Sequence, residues 1–383
     1  MLNATDLVCF SHLRWGFVYQ RPNHLMSRFA RKRRVFFVEE PVYGDGPISM
    51  ETAEVSRNLW ICTPRLPRNT EQVIGEALQH RLIQTLVRER AVVCPILWFY
   101  TPMALPLAAD LAASCIVYDC MDELSGFRGA PPELAEREQQ LFNRANLVFT
   151  GGQSLYEAKR LQHPAVFAFP SSVDRSHFAQ ARCQQRELPN QAQIPRQRVG
   201  FFGVIDERMD LELIARLADA RPEIQFVFVG PVVKVSEASL PRATNIHYLG
   251  STPYIDLPAY IAGWDVAIMP FALNEATRFI SPTKTLEYLA AGKPIVSTAI
   301  RDVVSPYGEC GIVQIADASS FADAIDLALS TDLTCYYERC DGVLERTSWD
   351  KTWSEMLVLI NGTAKRETRS AALQKGEDTC LTT

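Results

Sequence analysis

Short runs of apolar residues alternate with amphipathic segments along most of the chain. Apolar runs at 6–10 and 35–38 enclose the segment 24–30, in which Leu25 and Phe29 lie one helical turn apart. A short continuous apolar run is typical of a strand that is buried on both faces, as in a parallel sheet. The chain therefore begins with a predicted strand, helix and strand, the order that opens an α/β domain.

The same alternation stops near the middle of the chain and then restarts. A proline-, serine- and glutamine-rich segment interrupts it and is the predicted linker. The predicted division is 1–170 as the first α/β domain, 171–198 as linker, 199–347 as the second α/β domain, 348–362 as a helix and 363–383 as a disordered tail. Ligands collect at the C-terminal ends of parallel strands, so a cleft between two facing domains is the predicted site.

Residues 279–298 contain the pattern with the clearest chemical meaning. A helix predicted at 283–291 begins at a Ser-Pro turn and ends at Gly292. An exposed helix N-terminus favours phosphate, and Lys284 adds positive charge there. Glu287, one turn further on, can accept two hydrogen bonds from a ribose diol. The same pattern also fits a capped surface helix with a solvated lysine and glutamate.

Composition narrows the class of protein without identifying it. The chain has 383 residues, 47% of them hydrophobic and 22% charged, as in soluble globular proteins. A net charge of -5 argues against general nucleic-acid binding. No apolar run approaches the roughly 20 residues of a membrane span, and we expect no secretory signal. The ten cysteines lack zinc-type spacing, which predicts reduced thiols and a cytoplasmic chain.

Four stretches carry a resemblance when they are taken together and in order. They are the Pro-Ser-Ser-Val-Asp stretch at 170–178, the Phe-Phe-Gly loop at 201–208, the motif at 281–296 and the Ser-Trp pair at 348–349. This set resembles GT-B glycosyltransferases, most closely the bacterial family 4 or family 1-type enzymes of polysaccharide synthesis. The resemblance implies an acceptor-binding N-terminal domain and a nucleotide-sugar donor domain, both Rossmann-like. It also implies a last helix that crosses back onto the N-terminal domain.

The resemblance further implies roles for individual donor-side residues. Glu287 matches the residue that binds the nucleotide ribose. The residues matching the phosphate-facing turn and the diphosphate loop are Pro282, Thr283, Lys284, Gly203 and Arg208. One position departs from the pattern, because Phe279 stands where the retaining enzymes have a second glutamate. Glu275 is nearby but out of register, so the stereochemical outcome stays open.

Two aspartates and a histidine are the catalytic candidates of the first half. Asp119 and Asp122 follow a predicted strand, where either can serve as the general base for an acceptor hydroxyl. The alternative is that Asp119 anchors its loop and Asp122 caps a short helix. His12, in the first strand-to-helix loop, is a candidate contact for sugar or acceptor. A buried, hydrogen-bonded histidine fits that position equally well.

Basic residues near the N-terminus also allow two interpretations. Arg21 can bind an acceptor or a phosphate, or it can form an internal ion pair with Glu39. The basic run at 31–34 ends a predicted helix, where cations suit the helix dipole. It is either a solvated helix end or a contact for an anionic membrane surface or lipid diphosphate.

The leading hypothesis is a glycosyltransferase that needs neither metal nor cofactor. It would move a sugar from a nucleotide-diphosphate donor to a glycan or lipid-linked acceptor, in the cytoplasm or at the inner face of the cell membrane. Two alternatives remain open at this point. One is a nucleotide-sugar epimerase, and the other is a non-catalytic partner of a polysaccharide assembly enzyme.

Overall fold

The computed structural model describes residues 5–183 and 187–363, which form two α/β domains. Most of the tail predicted to be disordered, 364–383, lies outside the described residues. The first domain contains nine strands: β1 (Leu7–Ser11), β2 (Val35–Glu39), β3 (Val42–Gly44), β4 (Ser49–Ser56), β5 (Leu59–Pro67), β6 (Ile96–Phe99), β7 (Cys115–Cys120), β8 (Leu147–Thr150) and β9 (Val166–Ala168). The second contains six: β10 (Arg198–Phe202), β11 (Gln225–Val229), β12 (Ile246–Tyr248), β13 (Val266–Met269), β14 (Ile295–Ser297) and β15 (Val313–Ile315).

Helices lie between the strands and cover both sheets. In the first domain they are α1 (Arg21–Ala30), α2 (Gln72–Glu89), α3 (Leu134–Arg144) and α4 (Gln153–Lys159). The linker region holds α5 (Arg175–Ala179) and α6 (Pro189–Ala192). The second domain and its end contain α7 (Leu211–Ala220), α8 (Leu257–Ala262), α9 (Thr283–Ala290), α10 (Arg301–Val303), α11 (Phe321–Leu329), α12 (Leu333–Leu344) and α13 (349–363).

Both sheets have the strand order of a doubly wound fold. The first sheet runs β3-β5-β2-β1-β6-β7-β8-β9, and the second runs β12-β11-β10-β13-β14-β15. Neighbouring strands are parallel throughout, apart from β4, which pairs antiparallel with β5. The order reverses between β1 and β6 in one sheet and between β10 and β13 in the other. Crevices at such reversal points are where ligands bind in this class of fold.

The sequence pattern predicts a short strand at 58–62, which overlaps the start of β5, but it does not predict β4 or the antiparallel ribbon that β4 forms with β5. Strand β4 is largely exposed, and its sequence Ser-Met-Glu-Thr-Ala-Glu-Val-Ser lacks the apolar run of a buried strand. Its stability comes from pairing with β5, whose alternate residues are buried. Cross-strand pairing of this kind leaves little trace in local hydrophobicity.

The last helix, α13, joins the two domains. It begins directly after the second domain, yet four of its side chains are buried in the hydrophobic core of the first: Trp349, Trp353, Met356 and Ile360. The Trp349 ring stacks on His24 of α1 at 4.7 Å. Asp350 forms ion pairs with Arg28 and Arg31 at 3.0 and 2.6 Å. These contacts connect the C-terminal end of the described chain to the N-terminal sheet.

A second junction lies at the start of α4. The Asp302 carboxylate of the second domain accepts a hydrogen bond from the Ser154 backbone N–H at 3.0 Å. The Ser171 hydroxyl donates to the Ser281 carbonyl at 2.9 Å. A side chain at Gly152 would lie only 2.2 Å from Asp302, so glycine is required for this close approach. The two domains therefore meet through specific polar contacts at the base of the cleft.

Candidate active site

A cavity of about 680 Å³ lies between the two domains and is lined by both. The first domain contributes the loop 15–21, Asn23, Met121, Asp122 and Gly151. The second domain contributes 202–204, Arg208, 229–231, 251–254, Leu257, 280–284 and Glu287. These segments include loops at the C-terminal ends of β1, β7, β10 and β11. The volume falls within the range of small-molecule sites in proteins.

Glu287 is buried beside this cavity without a full set of partners. Its side chain is 6% exposed, and its Oε2 atom has no hydrogen-bond partner among the described residues. Burial raises the pKa of the carboxyl to about 7, against the opposing effects of Lys284 and the Thr283 hydrogen bond. A buried carboxylate oxygen without a partner is costly, and a ligand hydroxyl would remove that cost.

Lys284 lies one turn before Glu287 and points toward the Gly loop. A side chain on Gly203 would come within 2.4 Å of the Lys284 Cε atom and 2.6 Å of its Nζ atom. Gly203 also has φ of +130°, a conformation that side chains disfavour. Burial lowers the pKa of Lys284 to about 8. The lysine has no ion-pair partner within 4.0 Å in the part of the chain described, which leaves its charge available to an anion.

The N-terminus of α9 adds backbone donors to the same wall. Pro282 occupies the N-cap position, Thr283 begins the helix, and no side chain among the described residues caps it. Residues 280–284 line the cavity. The first N–H groups of an uncapped helix are unsatisfied, and the helix dipole favours negative charge at that end. The turn is therefore suited to a phosphate.

Arg208 is the last residue of the Gly loop, and its side chain is held by Asp206 of the same loop. Its guanidinium donates to the Asp206 carboxylate at 2.7–3.1 Å. The guanidinium also lies 5.8 Å from the ring of Phe127, which belongs to the first domain. Arg208 therefore lines the cavity with one partner already bound, unlike Lys284.

Asp119, predicted as a catalytic candidate, is fully buried and is absent from the cavity lining. Arg21 donates three hydrogen bonds to it at 2.8–3.1 Å and a fourth to the Phe169 carbonyl at 2.7 Å. Burial raises the pKa of Asp119, and the Arg21 charge opposes that rise. The carboxylate anchors Arg21 and its loop, which agrees with the alternative interpretation. A role as general base does not fit this geometry.

The predicted partner of Arg21, Glu39, is engaged elsewhere. It accepts hydrogen bonds from Arg14 at 3.1 Å and from the Trp15 backbone at 2.7 Å. Of the two roles considered for Arg21, the internal ion pair is the one observed, with Asp119 and not with Glu39, and the predicted contact with an acceptor or a phosphate does not fit this geometry. Arg21 is 2% exposed, although it borders the cavity. Its guanidinium is committed to the fold.

Asp122 is the acidic group that the first domain does present to the cavity. Burial raises its pKa to about 6, while the charges of Arg208 and Arg21 oppose the rise and that of Asp206 supports it. The alternative role, capping a short helix, does not occur, because Glu123 holds the N-cap position of the next turn. A carboxylate with this pKa can accept a proton near neutral pH.

His12, the candidate contact for sugar or acceptor, is absent from the cavity lining. Its ring interacts with the Tyr100 backbone, and its Nδ1 atom is buried without a hydrogen-bond partner among the described residues. Burial, with the nearby charge of Lys234, lowers its pKa to about 4. The imidazole is therefore neutral at physiological pH.

An aromatic stack that no sequence pattern predicts crosses the cleft. Tyr19 of the first domain stacks on Tyr254 of the second at 4.4 Å, and His177 of the linker covers the other face at 4.1 Å. The Tyr254 hydroxyl is buried without a partner in the described chain, and burial raises its pKa. Tyr254 begins a short 3-10 helix, Tyr254–Asp256, of ordinary composition, so no local signal marks it.

Phe279 has a structural role at the position where a second carboxylate was expected. It packs against the apolar core of the first domain, and the Arg278 guanidinium lies 5.1 Å from its ring. The side chain of Glu275 is 77% exposed and lies 3.5 Å from Arg278. Neither residue brings a carboxylate to the cavity lining.

Residues of the basic run at 31–34 make ion pairs and ring contacts with other residues of the chain. Arg31 pairs with Asp350, Arg34 pairs with Asp6, and Lys32 lies 5.0 Å from the Trp353 ring. No helix among residues 5–183 and 187–363 is long and apolar enough to cross a membrane. The same residues include no group of three or more histidine, cysteine, aspartate or glutamate side chains suited to a metal.

Comparisons with known proteins agree with this architecture. Residues 196–331 match the family model described as Glycosyl transferases group 1. TuaH of Bacillus subtilis (strain 168), assigned to teichuronic acid biosynthesis as a glycosyltransferase, is 26% identical over 222 residues. That match covers 53% of this chain and 55% of TuaH, so it spans about half of each protein.

Solved structures match over nearly the whole chain. A trehalose-6-phosphate protein from E. coli bound with UDP-2-fluoro glucose superposes with a TM-score of 0.69, at 13% identity over 93% of this chain and 99% of that one. Sucrose-phosphate synthase from Thermosynechococcus elongatus gives 0.68, at 14% identity over 96% and 100%. The resemblance inferred from the four stretches is confirmed, and the chain has the GT-B fold.

Proposed function

We propose that the protein is a glycosyltransferase that moves a sugar from a nucleotide-diphosphate donor to a glycan or lipid-linked acceptor. The observation that carries the proposal is the buried, incompletely partnered Glu287 beside Lys284 and the uncapped start of α9. A carboxylate suits a ribose diol, and a cation at a helix N-terminus suits a diphosphate. The two groups lie one helical turn apart, so they can hold adjacent parts of one nucleotide.

On this proposal the donor wall stabilises the leaving group without a metal or cofactor. Negative charge builds up on the diphosphate as the bond to the sugar breaks. Lys284 and the α9 backbone N–H groups are fixed in place before the reaction and can stabilise that charge. Arg208 joins them if its guanidinium turns from Asp206 toward the diphosphate. The nucleoside diphosphate leaves with the electron pair of the broken bond.

Asp122 is the proposed general base on the acceptor side. The acceptor hydroxyl oxygen attacks the anomeric carbon, its proton passes to the Asp122 carboxylate, and the sugar–diphosphate bond breaks. This scheme inverts the anomeric configuration. The absence of a carboxylate at Phe279 favours it over the retaining pattern.

The proposed setting is cell-surface polysaccharide synthesis on the cytoplasmic side of the cell membrane. The match to TuaH supports a polysaccharide acceptor. A lipid-linked acceptor would require peripheral contact with the inner face of the membrane. The proposal includes no nucleic-acid partner.

The test compares two glutamates of the donor domain. Glu287→Ala should abolish transfer and weaken binding of the nucleotide sugar, with the unfolding midpoint retained. Glu275→Ala removes an exposed carboxylate outside the cavity and should behave as wild type. Calorimetry with UDP-, GDP-, ADP- and dTDP-sugars identifies the donor. The release of nucleoside diphosphate from that donor then measures transfer in each variant. Full activity in Glu287→Ala would overturn the assignment.

The same preparations separate the alternative functions. An epimerase would convert the donor sugar into an isomer without any acceptor, which chromatography of the incubated nucleotide sugar detects. A non-catalytic partner of an assembly enzyme would bind none of the nucleotide sugars. Either result would replace the proposed transfer reaction.

A further inference from the structure

A second cavity of about 400 Å³ lies wholly within the first domain. It is bordered by the C-terminal ends of β1 and β2, the start of α2 and the segment after β6. The strand order reverses between β1 and β6, so the cavity occupies the ligand-binding crevice expected for this sheet. The donor site described above does not use it.

The lining of this second cavity is rich in neutral hydrogen-bonding groups. Thr70, Gln72, Gln79 and Thr101 contribute hydroxyl and amide groups. Gln79 is 8% exposed and donates to the Gly75 carbonyl at 3.2 Å, while its side-chain oxygen has no partner among the described residues. Such a mixture of donors and acceptors matches the hydroxyl groups of a sugar.

The charges around the cavity disfavour an anionic ligand. Glu39, Glu40 and Glu76 all border it. Two of these carboxylates already have a cationic partner: Arg14 binds Glu39 at 3.1 Å, and Arg137 binds Glu76 at 2.7 Å. A phosphate or carboxylate would therefore meet negative charge without a free cation in the lining.

Glu40 and Tyr43 supply the features that a neutral sugar uses. No salt-bridge partner within 4.0 Å is found for the Glu40 carboxylate in the described chain, so it can accept two hydrogen bonds from a vicinal diol. The Tyr43 ring is 48% exposed at the edge of the cavity. A flat, exposed aromatic face can pack against the C–H face of a sugar ring.

One loop borders both cavities. Ser11 lines the second cavity, and the segment 15–20 lines the donor cleft. Between them, Arg14 donates to the carbonyls of Glu40 and Pro41 at 2.6 and 3.0 Å. A chain-like ligand could therefore have one end in the cleft and a more distant unit in the second cavity.

We propose that the second cavity is a distal acceptor subsite that binds a neutral, hydroxyl-rich sugar unit of the acceptor glycan. This inference rests on the proposed glycosyltransferase function. It narrows the acceptor to an oligosaccharide or longer glycan whose inner unit carries no phosphate or carboxylate at this position.

The test uses saturation-transfer NMR on the full chain with neutral tetrasaccharides of glucose, mannose and N-acetylglucosamine. At least one should bind, and the double variant with Glu40→Gln and Tyr43→Ala should weaken it by at least about fivefold, the loss of roughly one hydrogen bond. Glu54→Gln, on the exposed β4 strand, is the control and should bind as wild type. Glucose 6-phosphate should give no signal that depends on Glu40 or Tyr43.

Donor binding separates failure of this inference from failure of the proposed function. If the wild type binds a nucleotide sugar but no neutral tetrasaccharide, the subsite is wrong and the donor assignment stands. Undiminished tetrasaccharide binding in the double variant would also overturn the subsite. If no nucleotide sugar binds, the proposed function itself fails.

Discussion

The two walls of the cleft use buried charge in opposite ways. On the N-terminal wall, Arg21 borders the cavity, and Asp119, outside the lining, accepts three hydrogen bonds from it, so that the two almost fully buried groups satisfy one another. On the C-terminal wall, Glu287 is nearly as buried, yet one of its oxygens has no partner among the described residues. Saturated buried charges fix a structure, whereas an unsatisfied one lowers stability until a ligand binds. The contrast separates the side chains that hold the site together from those that we propose bind the donor.

The largest expected effect is a loss of stability when the Arg21–Asp119 ion pair is broken. Asp119→Asn leaves the buried Arg21 guanidinium without its counter-charge, so the free energy of unfolding should fall by about 3–5 kcal/mol. Asp350→Asn, which removes a half-exposed partner of Arg28 and Arg31, is the control and should cost less than about 1 kcal/mol. Urea unfolding followed by tryptophan fluorescence measures both. Equal losses in the two variants would remove the distinction between framework and surface charges.

The second expected effect is a loss of transfer rate when Lys284, on the C-terminal wall, is replaced, with stability nearly unchanged. Lys284→Met removes a cation without an ion-pair partner among the described residues, and transfer should fall by about 10²–10³-fold, as for one preorganised stabilising group. Lys293→Met is the matched comparison. That lysine donates to the carbonyls of Ala262 and Trp264 at 3.2 and 2.7 Å. The Lys293→Met variant should be less stable than wild type and should keep the wild-type transfer rate.

The readouts are the unfolding midpoint and the rate of nucleoside diphosphate release at saturating donor. If both lysine variants lose stability equally and transfer is unaffected, Lys284 belongs to the side chains that hold the site together and the contrast between the walls fails. If Lys284→Met loses transfer but not stability, the difference between the two walls is shown for a single side chain.

The C-terminal wall of the cleft could be predicted from the sequence much better than the Arg21–Asp119 pair of the N-terminal wall. Lys284, Glu287 and the start of α9 lie within one local pattern, so their arrangement follows from helical geometry. Arg21 and Asp119 are 98 residues apart, and only the packed sheet brings them together. The sequence pattern could therefore suggest Glu39 as a partner for Arg21, but it could not show that the partner is Asp119.

The same reasoning explains which elements of the fold were missed. The buried strands of both parallel sheets are continuous apolar runs, and these were predicted. The polar strand β4 depends on its partner β5 for its structure, and the Tyr19–Tyr254 stack depends on closure of two domains. Phe279 was identified as a departure from the family pattern, but its packing against the opposite domain required the structure. Tertiary contacts decided each of these cases.

Asp122 is the carboxylate of the first domain that does line the cavity, and it carries the smallest predicted effect. Its pKa is raised to about 6. A general base acts only when ionised, so kcat should fall as pH drops below about 6, by about tenfold for each further unit. Glu287, with a pKa of about 7, also titrates nearby. Measuring kcat at saturating donor separates them, because bound nucleotide would hold Glu287 ionised.

Asp206 offers a way to move this pH limb without touching Asp122. Its negative charge raises the pKa of Asp122, and its carboxylate also holds Arg208. Asp206→Asn removes a like charge and frees a cation, and both changes favour ionised Asp122. The acid limb of kcat should therefore shift to lower pH. A limb that stays in place would show that Asp122 is not the titrating base, and the N-terminal wall would then contribute framework alone.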